Sequence, residues 1–262
     1  MATTYLQKLR LFNRDVRLFL ITAAIFGFVW DGVRMVLFNL YLLRLGYGTE
    51  SIGLINAVGP IAFSVFAVLL GALGARWNGR HSIMVGLSLM AAGLALLPLT
   101  GALPPEFRTG WLYGMTVVTY LGLAFWWVYT IPFLMGATST AERSHAFSVQ
   151  IALAPLAAVA GSLVGGALPG IFARVKGISP DDPAAYAYSL IVAAVLLIPA
   201  ALALAPAGDP NYRIVPAGVA RSTAAGTHSK APGGLILLVG MLALLRFCLL
   251  YTSDAADECP AV

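Results

Sequence analysis

Two charged side chains, Asp31 and Arg34, lie inside the apolar stretch Gly27–Tyr41, GFVWDGVRMVLFNLY. At the centre of a membrane helix each charge costs roughly 2.5–3.5 kcal/mol, whereas one Leu or Phe gains only about 0.3–0.6 kcal/mol. Residues three apart lie about 60° apart on an α-helix, so we expect the two side chains to share one face and partly neutralise each other. The carboxyl group could carry a coupling proton, and the guanidinium could tune it or bind an anionic group of a substrate. The alternative is a structural ion pair. Asn39 and Asn56 are weaker polar candidates that could equally bond neighbouring helices.

A second candidate set lies in the aromatic segment 125–133, FWWVYTIPF. Trp126, Tyr129 and Phe133 are spaced by three and four residues, which predicts one stripe along a helix. Buried Tyr and Trp side chains combine a large apolar area with one polar atom, a combination that suits a substrate pocket. Packing against lipid or against other helices is the alternative.

The elements that carry these residues are indicated by the composition. The chain is 60% hydrophobic and only 10% charged, where soluble domains carry about 25% charged residues, so an integral protein of the lipid bilayer is predicted. The basic residues are scattered singly, which argues against a nucleic-acid partner. The two cysteines lie near the C-terminus and the three histidines lie in polar connecting segments. We therefore predict no metal site and no cofactor.

Seven apolar stretches are long enough to cross the hydrocarbon core, which takes about 20 helical residues. The sequence therefore predicts an all-α membrane protein with spans at 18–43, 51–73, 82–100, 110–136, 146–173, 184–206 and 233–250. Residues 1–206 would form a six-helix bundle, and 207–232, rich in Gly, Pro, Ser and Thr, a linker. The stretch 233–250 would begin a second bundle.

The Lys and Arg residues of the connecting segments divide unevenly between the two sides of the membrane. With the N-terminus inside, ten lie on the cytoplasmic side and four on the outer side. Loops rich in Lys and Arg stay in the cytoplasm. A multi-pass protein of the plasma (inner) membrane is predicted, with its N-terminus and the linker in the cytoplasm.

Spans two and five resemble each other when the sequence is shifted by 95 residues. Six of seventeen positions are then identical: Ala57/Ala152, Pro60/Pro155, Ala62/Ala157, Gly71/Gly166, Ala72/Ala167 and Leu73/Leu168. The same shift matches Gly27 with Gly122 and sets three pairs of candidate residues opposite each other: Asp31 and Trp126, Arg34 and Tyr129, Phe38 and Phe133. Two units of three spans have opposite orientations in the membrane. Chance matching in so apolar a chain is the alternative.

The loop between spans two and three contains the sequence GALGARWNGRH, from Gly71 to His81. It resembles the signature of the major facilitator superfamily in that loop, with matches at five positions if Asn78 is an insertion: Gly71, Leu73, Arg76, Gly79 and Arg80. Glycines there allow close packing and a tight turn, while the arginines meet acidic groups or helix C-termini. Ala75 stands where the family usually has Asp, which puts the family's charge relay in doubt.

The resemblance implies the six-helix N-terminal bundle of such a transporter, built as a three-plus-three inverted repeat, with a truncated seventh helix. It implies secondary active transport of a small solute by alternating access, with spans one and four lining the pathway. Span five keeps a Gly161-x-x-x-Gly165 packing spacing but lacks the glycine–proline order common in the family's antiporters. Drug/proton antiport is therefore not indicated.

The end of the chain changes character at Cys248. Residues 248–258 resemble a translated sequencing adapter, so 251–262 is interpreted as a non-native tail, with a second transmembrane half expected as the natural partner. A short genuine tail is the alternative. A membrane-embedded enzyme would need a convergent nucleophile, base or metal set, which the spans do not contain, so an enzyme is not predicted. A sensor or scaffold without transport is the other class considered.

Overall fold

The computed structural model describes residues 12–73 and 77–208, with the side chains of Leu73, Thr140 and Ala141 left out. Within these ranges the backbone is helical apart from short turns, and they contain no β-strand. The predicted all-α class is confirmed. The predicted seventh span at 233–250, the tail at 251–262 and the linker beyond Gly208 lie outside the described residues.

Six helices are long and apolar enough to cross a membrane, which indicates a multi-pass membrane protein. Their bounds are α1 Arg14–Arg44, α2 Thr49–Leu73, α3 Gly79–Leu96 with a 3₁₀ extension Leu97–Ala102, α4 Pro105–Ala137, α5 Thr140–Lys176 and α6 Pro183–Leu204. They correspond to the first six predicted spans. The helices α4 and α5 exceed the predicted spans because helical structure continues beyond the apolar stretch at both ends.

Local sequence explains where several helices begin and end. Gly46 after α1 and Gly177 after α5 adopt positive φ angles of 88° and 66°, a conformation that glycine adopts without steric cost. Asp182 precedes α6, and its carboxylate accepts a hydrogen bond from the backbone N–H of Ala184 at 2.8 Å. Pro183 then occupies the first turn, where its missing N–H costs nothing.

Contacts between helix ends show that α1 and α3 run in the direction opposite to α6. At one end of the bundle Arg44, which closes α1, forms an ion pair with Asp181 just before α6, with 2.7 Å between Nη2 and Oδ1. At the other end Arg80, in the first turn of α3, donates to the carbonyl oxygens of Ala205 and Ala207 beyond α6, at 2.9 and 2.6 Å. The end of α1 thus meets the start of α6, and the start of α3 meets the end of α6.

Helix pairing divides the bundle into two groups. The helix α1 packs against α5 and α6, whereas α4 packs against α2 and α3. The groups join mainly where α3 packs against α6, and α1 also contacts α4. In the apolar windows of α2 and α5 only 11% of the residues are buried, against 44% to 61% in the other four helices. The bundle therefore has a shared core and two helices with largely uncovered faces.

Candidate functional site

The middle of α1 is a π-helix of seven residues, Phe28–Arg34, flanked by α-helix on both sides. In a π-helix the backbone bonds run from residue i to i+5, so the helix is locally wider. Such segments occur frequently at functional sites. Asp31 and Arg34 both lie in this segment, for which the sequence predicted an ordinary α-helix.

The π-helix lies directly against α5, with backbone touching backbone. A Cβ atom on Gly32 would lie 2.7 Å from both the carbonyl oxygen of Ala158 and the Cα of Gly161. One on Gly165 would lie 3.0 Å from the Cα of Val33. Small residues permit this approach, which is how helices gain van der Waals contact where lipid provides no hydrophobic driving force. The packing expected from Gly161 and Gly165 is present.

The π-helix separates Asp31 from Arg34. With about 4.4 residues per turn, residues three apart are about 115° apart instead of about 60°. Asp31 is exposed on the surface of the bundle, whereas Arg34 is buried with 5% of its surface exposed. Among the described residues the two form no ion pair within 4.0 Å, although each is within reach of the other's charge. The expectation of a shared face, and with it a structural ion pair, is therefore not met.

Arg34 lies among three aromatic rings, which we call the aromatic cage: Trp30, Phe38 and Tyr120. Its Cζ atom is 4.0 Å from the centroid of the Trp30 ring, 4.9 Å from that of Phe38 and 5.4 Å from that of Tyr120. These distances are typical of cation–π contacts. Its Nε atom is buried and has no hydrogen-bond partner among the described residues. The cage thus covers the guanidinium without neutralising its charge.

A series of ring contacts connects the cage with the aromatic segment of α4. Trp30 stacks on Phe26 at 6.4 Å, and Phe26 stacks on Trp126 at 4.3 Å between ring centroids. Trp126 also stacks on Phe19 at 5.8 Å, and Phe19 contacts Phe133 at 5.4 Å. Trp126 and Phe133 are 2% and 1% exposed. Within the described chain they form the α1–α4 core of the bundle.

Tyr129 has a different environment from its two neighbours in the predicted stripe. It is fully buried and stacks on Phe125 at 6.0 Å, and its hydroxyl group lies near Ser82 of α3. This hydroxyl group has no hydrogen-bond partner among the described residues. Of the predicted residues, Arg34 therefore contacts Phe38 directly. Trp126 and Phe133 both contact Phe19, while Tyr129 faces α3.

Four aromatic residues that contact the predicted set were missed: Phe19, Phe26, Trp30 and Tyr120. The first three are spaced by seven and four residues, a helical stripe that the sequence could have indicated. Tyr120 carries no comparable signal, because only the packing of α4 against α1 brings it to Arg34. On α4, the contact of Arg34 is thus Tyr120, nine residues before the Tyr129 that the repeat set opposite it.

Asn39 and Asn56 join α1 to α2. The Nδ2 atom of Asn56 donates to the Oδ1 atom of Asn39 at 2.9 Å. The two residues therefore bond neighbouring helices, one of the two roles considered for them from the sequence. Asn39 lies on the same exposed stripe of α1 as Asp31, two turns further along.

The loop signature is only partly described. Gly71 lies near the end of α2 with open space around it, so the close packing expected of it is not seen among the described residues. Gly79 begins α3, and a Cβ atom there would lie 3.7 Å from that of Phe133. Arg80 binds carbonyl oxygens at the C-terminal end of α6, a contact that the helix dipole favours and that was expected of the arginines in this loop. Arg76 and the side chain of Leu73 lie outside the part of the chain that the structure describes.

A cleft of about 300 Å³ opens beside this loop, lined by Trp77, Asn78, His81, Ser82, Val85 and Phe125. Trp77 stacks on Phe125 at 5.7 Å and so ties the loop to α4. In the described part of the chain no three His, Cys, Asp or Glu side chains are grouped as a metal site would require.

No protein-family model and no curated protein matches the sequence.

Proposed function

We propose that this chain forms the N-terminal six-helix half of a major facilitator transporter, which moves a small solute by alternating access coupled to protons. The observation that carries this proposal is the pairing of the helices. If α1 exchanges with α4, α2 with α5 and α3 with α6, the contact α1–α5 becomes α4–α2, and α1–α6 becomes α4–α3. Both members of each of these pairs occur, and α3–α6 maps onto itself. The contact α5–α6 is an exception, since α2 and α3 are not in contact within the described residues. This correspondence supports a three-plus-three inverted repeat, the architecture of such a half.

The uncovered helices support a second bundle as the partner. The two least buried helices, α2 and α5, exchange with each other in the proposed repeat. Large apolar side chains on them are strongly exposed: Leu54, Ile61, Val65, Val68, Ile151, Leu156, Val159 and Leu163. Lipid could cover an apolar face, but Asp31 needs another explanation. A charged group at mid-membrane faces a bundle interior or a water-filled cavity, because contact with lipid is costly.

Asp31 lies on an exposed stripe of α1, and neighbouring residues of α1 contact both helices. Asn39, on the same stripe of α1, bonds Asn56 of α2, and Gly32, the residue after Asp31, touches Gly161 of α5. A second six-helix half docked on α2 and α5 would therefore enclose Asp31 at the centre of the pathway. In this position its carboxyl group would take up a proton from one side of the membrane and release it to the other as the halves rock.

The orientation belongs to the same proposal. Arg80 and the N-terminal Arg14 and Arg17 lie at the end of the bundle assigned to the cytoplasm. Arg143 belongs to that end as well, and donates to the carbonyl oxygen of Met135 in the last turn of α4 at 3.1 Å. We place this end on the cytoplasmic side of the plasma membrane, because loops rich in Lys and Arg are retained in the cytoplasm.

The test is solute-driven proton movement in proteoliposomes containing the protein together with its second half. Candidate solutes, first selected by thermal shift, are added under an imposed pH gradient while an enclosed dye reports the internal pH. We expect a hit to move protons with the wild type and with Glu50→Gln, a control that removes an exposed acid from the start of α2. We expect Asp31→Asn to abolish the coupled proton movement.

Two results would contradict the proposal in different ways. If Asp31→Asn retains the coupled proton flux unchanged, Asp31 is not the coupling residue. If no candidate solute elicits flux through the wild type, the proposal of transport itself is contradicted.

A further inference from the structure

We propose that the Arg34 cage binds the anionic group of the transported solute, a carboxylate or a phosphate, so that the substrate is a small organic anion. This inference rests on the proposed function and adds the chemical class of the solute. The inference starts from Arg34, which lies in the middle of an apolar helix with only 5% of its surface exposed. No carboxylate lies within 4.0 Å of it among the described residues.

The neighbouring helices provide no counter-charge. The segment of α5 that touches the π-helix, 158–165, contains no charged residue, and neither does α6. The contact from α4 is Tyr120, an uncharged side chain whose ring centroid lies 5.4 Å from the Cζ atom of Arg34. Taking a single charge out of water costs several kcal/mol unless it is paired. A site that keeps such a charge ready gains most from an anion that arrives from outside.

Within the described residues the guanidinium meets aromatic rings and no carboxylate. A guanidinium is planar, and its N–H donors lie in that plane, at its edge. Carboxylate and phosphate oxygens accept from that edge, often through two parallel hydrogen bonds. The buried Nε atom without an acceptor is one such donor. The rings around it, Trp30, Phe38 and Tyr120, suit the apolar body of an organic anion.

The π-helix keeps an internal competitor away. In an α-helix Asp31 would lie on the face of Arg34 and could occupy the site itself, but here it is exposed while Arg34 is buried. Each is still within reach of the other's charge, so a negative Asp31 opposes an incoming anion. A proton on Asp31 removes that repulsion. Proton and anion therefore favour each other's binding, which corresponds to symport.

Binding can be tested on the purified full chain in detergent, without transport. The probes are benzoate, its neutral analogue benzamide, and inorganic phosphate, and the readouts are tryptophan fluorescence and the thermal midpoint. We expect benzoate to bind and benzamide not to bind. We expect Arg34→Gln to weaken benzoate about 10- to 100-fold, the effect of losing a hydrogen-bonded charge. Arg34→Lys, which keeps the charge but not the planar edge, should be intermediate.

Two further variants frame the result. Arg44→Gln removes an arginine at the end of the same helix and should bind benzoate as the wild type does. Asp31→Asn, which imitates the protonated acid, should bind it more tightly. Arg34→Gln that keeps its thermal midpoint yet binds benzoate normally would overturn the inference, as would equal binding of benzamide.

Anionic lipid is the other source of the same chemistry. We expect added phosphatidylglycerol to leave benzoate binding unchanged, and displacement by this lipid would overturn the assignment to a solute. The proposed function is separable from this inference. Benzoate binding without any solute flux would contradict transport alone, whereas flux of a neutral solute that is unaffected by Arg34→Gln would contradict the anion site alone.

Discussion

Replacing Gly161 with alanine tests the backbone contact between α1 and α5 directly. A Cβ atom at this position would collide with the carbonyl oxygen of Phe28 and lie 3.1 Å from the Cα of Gly32. These neighbours belong to the backbone of the π-helix, so no side-chain rotation relieves the clash. The two helices must move apart, and the contacts along their interface are then lost.

The size of the effect follows from two opposing contributions. Alanine in place of glycine inside a helix stabilises by about 0.5–1 kcal/mol, because it lowers the backbone entropy lost on folding. Overpacking a tight contact costs about 1–3 kcal/mol. We therefore expect Gly161→Ala to destabilise the bundle by about 1–2 kcal/mol. Gly166→Ala is the matched control, since it lies on the same helix with nothing within 4 Å of its Cβ position.

The control should change stability in the opposite direction. Gly166→Ala is expected to stabilise the protein by about 0.5–1 kcal/mol. The assay is unfolding of the full chain in mixed micelles by increasing sodium dodecyl sulfate, followed by far-ultraviolet circular dichroism. Gly32→Ala, on the other side of the contact, should behave as Gly161→Ala does. If all three substitutions stabilise the protein, α1 and α5 do not touch through their backbones and the reasoning is refuted.

Two other contacts lead to predictions for the same unfolding assay. Arg80→Gln should destabilise the protein by about 1–3 kcal/mol, because the carbonyl oxygens beyond α6 lose a charged donor. Arg44→Gln, at an exposed ion pair, should destabilise it by less than about 1 kcal/mol. Equal effects of the two substitutions would contradict a role for Arg80 in holding α6. A double-mutant cycle with Asn39→Leu and Asn56→Leu should give a coupling energy of about 0.6–1.7 kcal/mol, the range for hydrogen bonds between membrane helices. Strict additivity would show that the two amides do not bond.

The number and type of the helices could be read from the sequence because their cause is local. Each membrane helix satisfies its own backbone hydrogen bonds, so the length and apolarity of a stretch suffice to predict it. The six spans from Arg14 to Leu204 are confirmed on this basis. The contact of Arg80 with a helix C-terminus was also foreseeable, since the attraction between a cation and carbonyl groups depends on few neighbours.

The candidate site depended on information that spacing does not contain. A separation of three residues indicates one face only if the helix is α-helical, and the π-helix at Phe28–Arg34 changes that angle. The sequence shows glycines at positions 32 and 161, but it does not show that they are in contact. The two residues are far apart in the chain, so only the packing of α1 against α5 brings them together.

The sequence by itself determined that this is a helical membrane protein with two costly charges in its first span. Only the tertiary structure decided that these charges separate, with Asp31 exposed and Arg34 enclosed by Trp30 and Tyr120. The physical reason is the range of the forces involved. Hydrogen bonds within a helix depend on neighbouring residues, whereas the helical register and the surroundings of a charge depend on which helices pack against it.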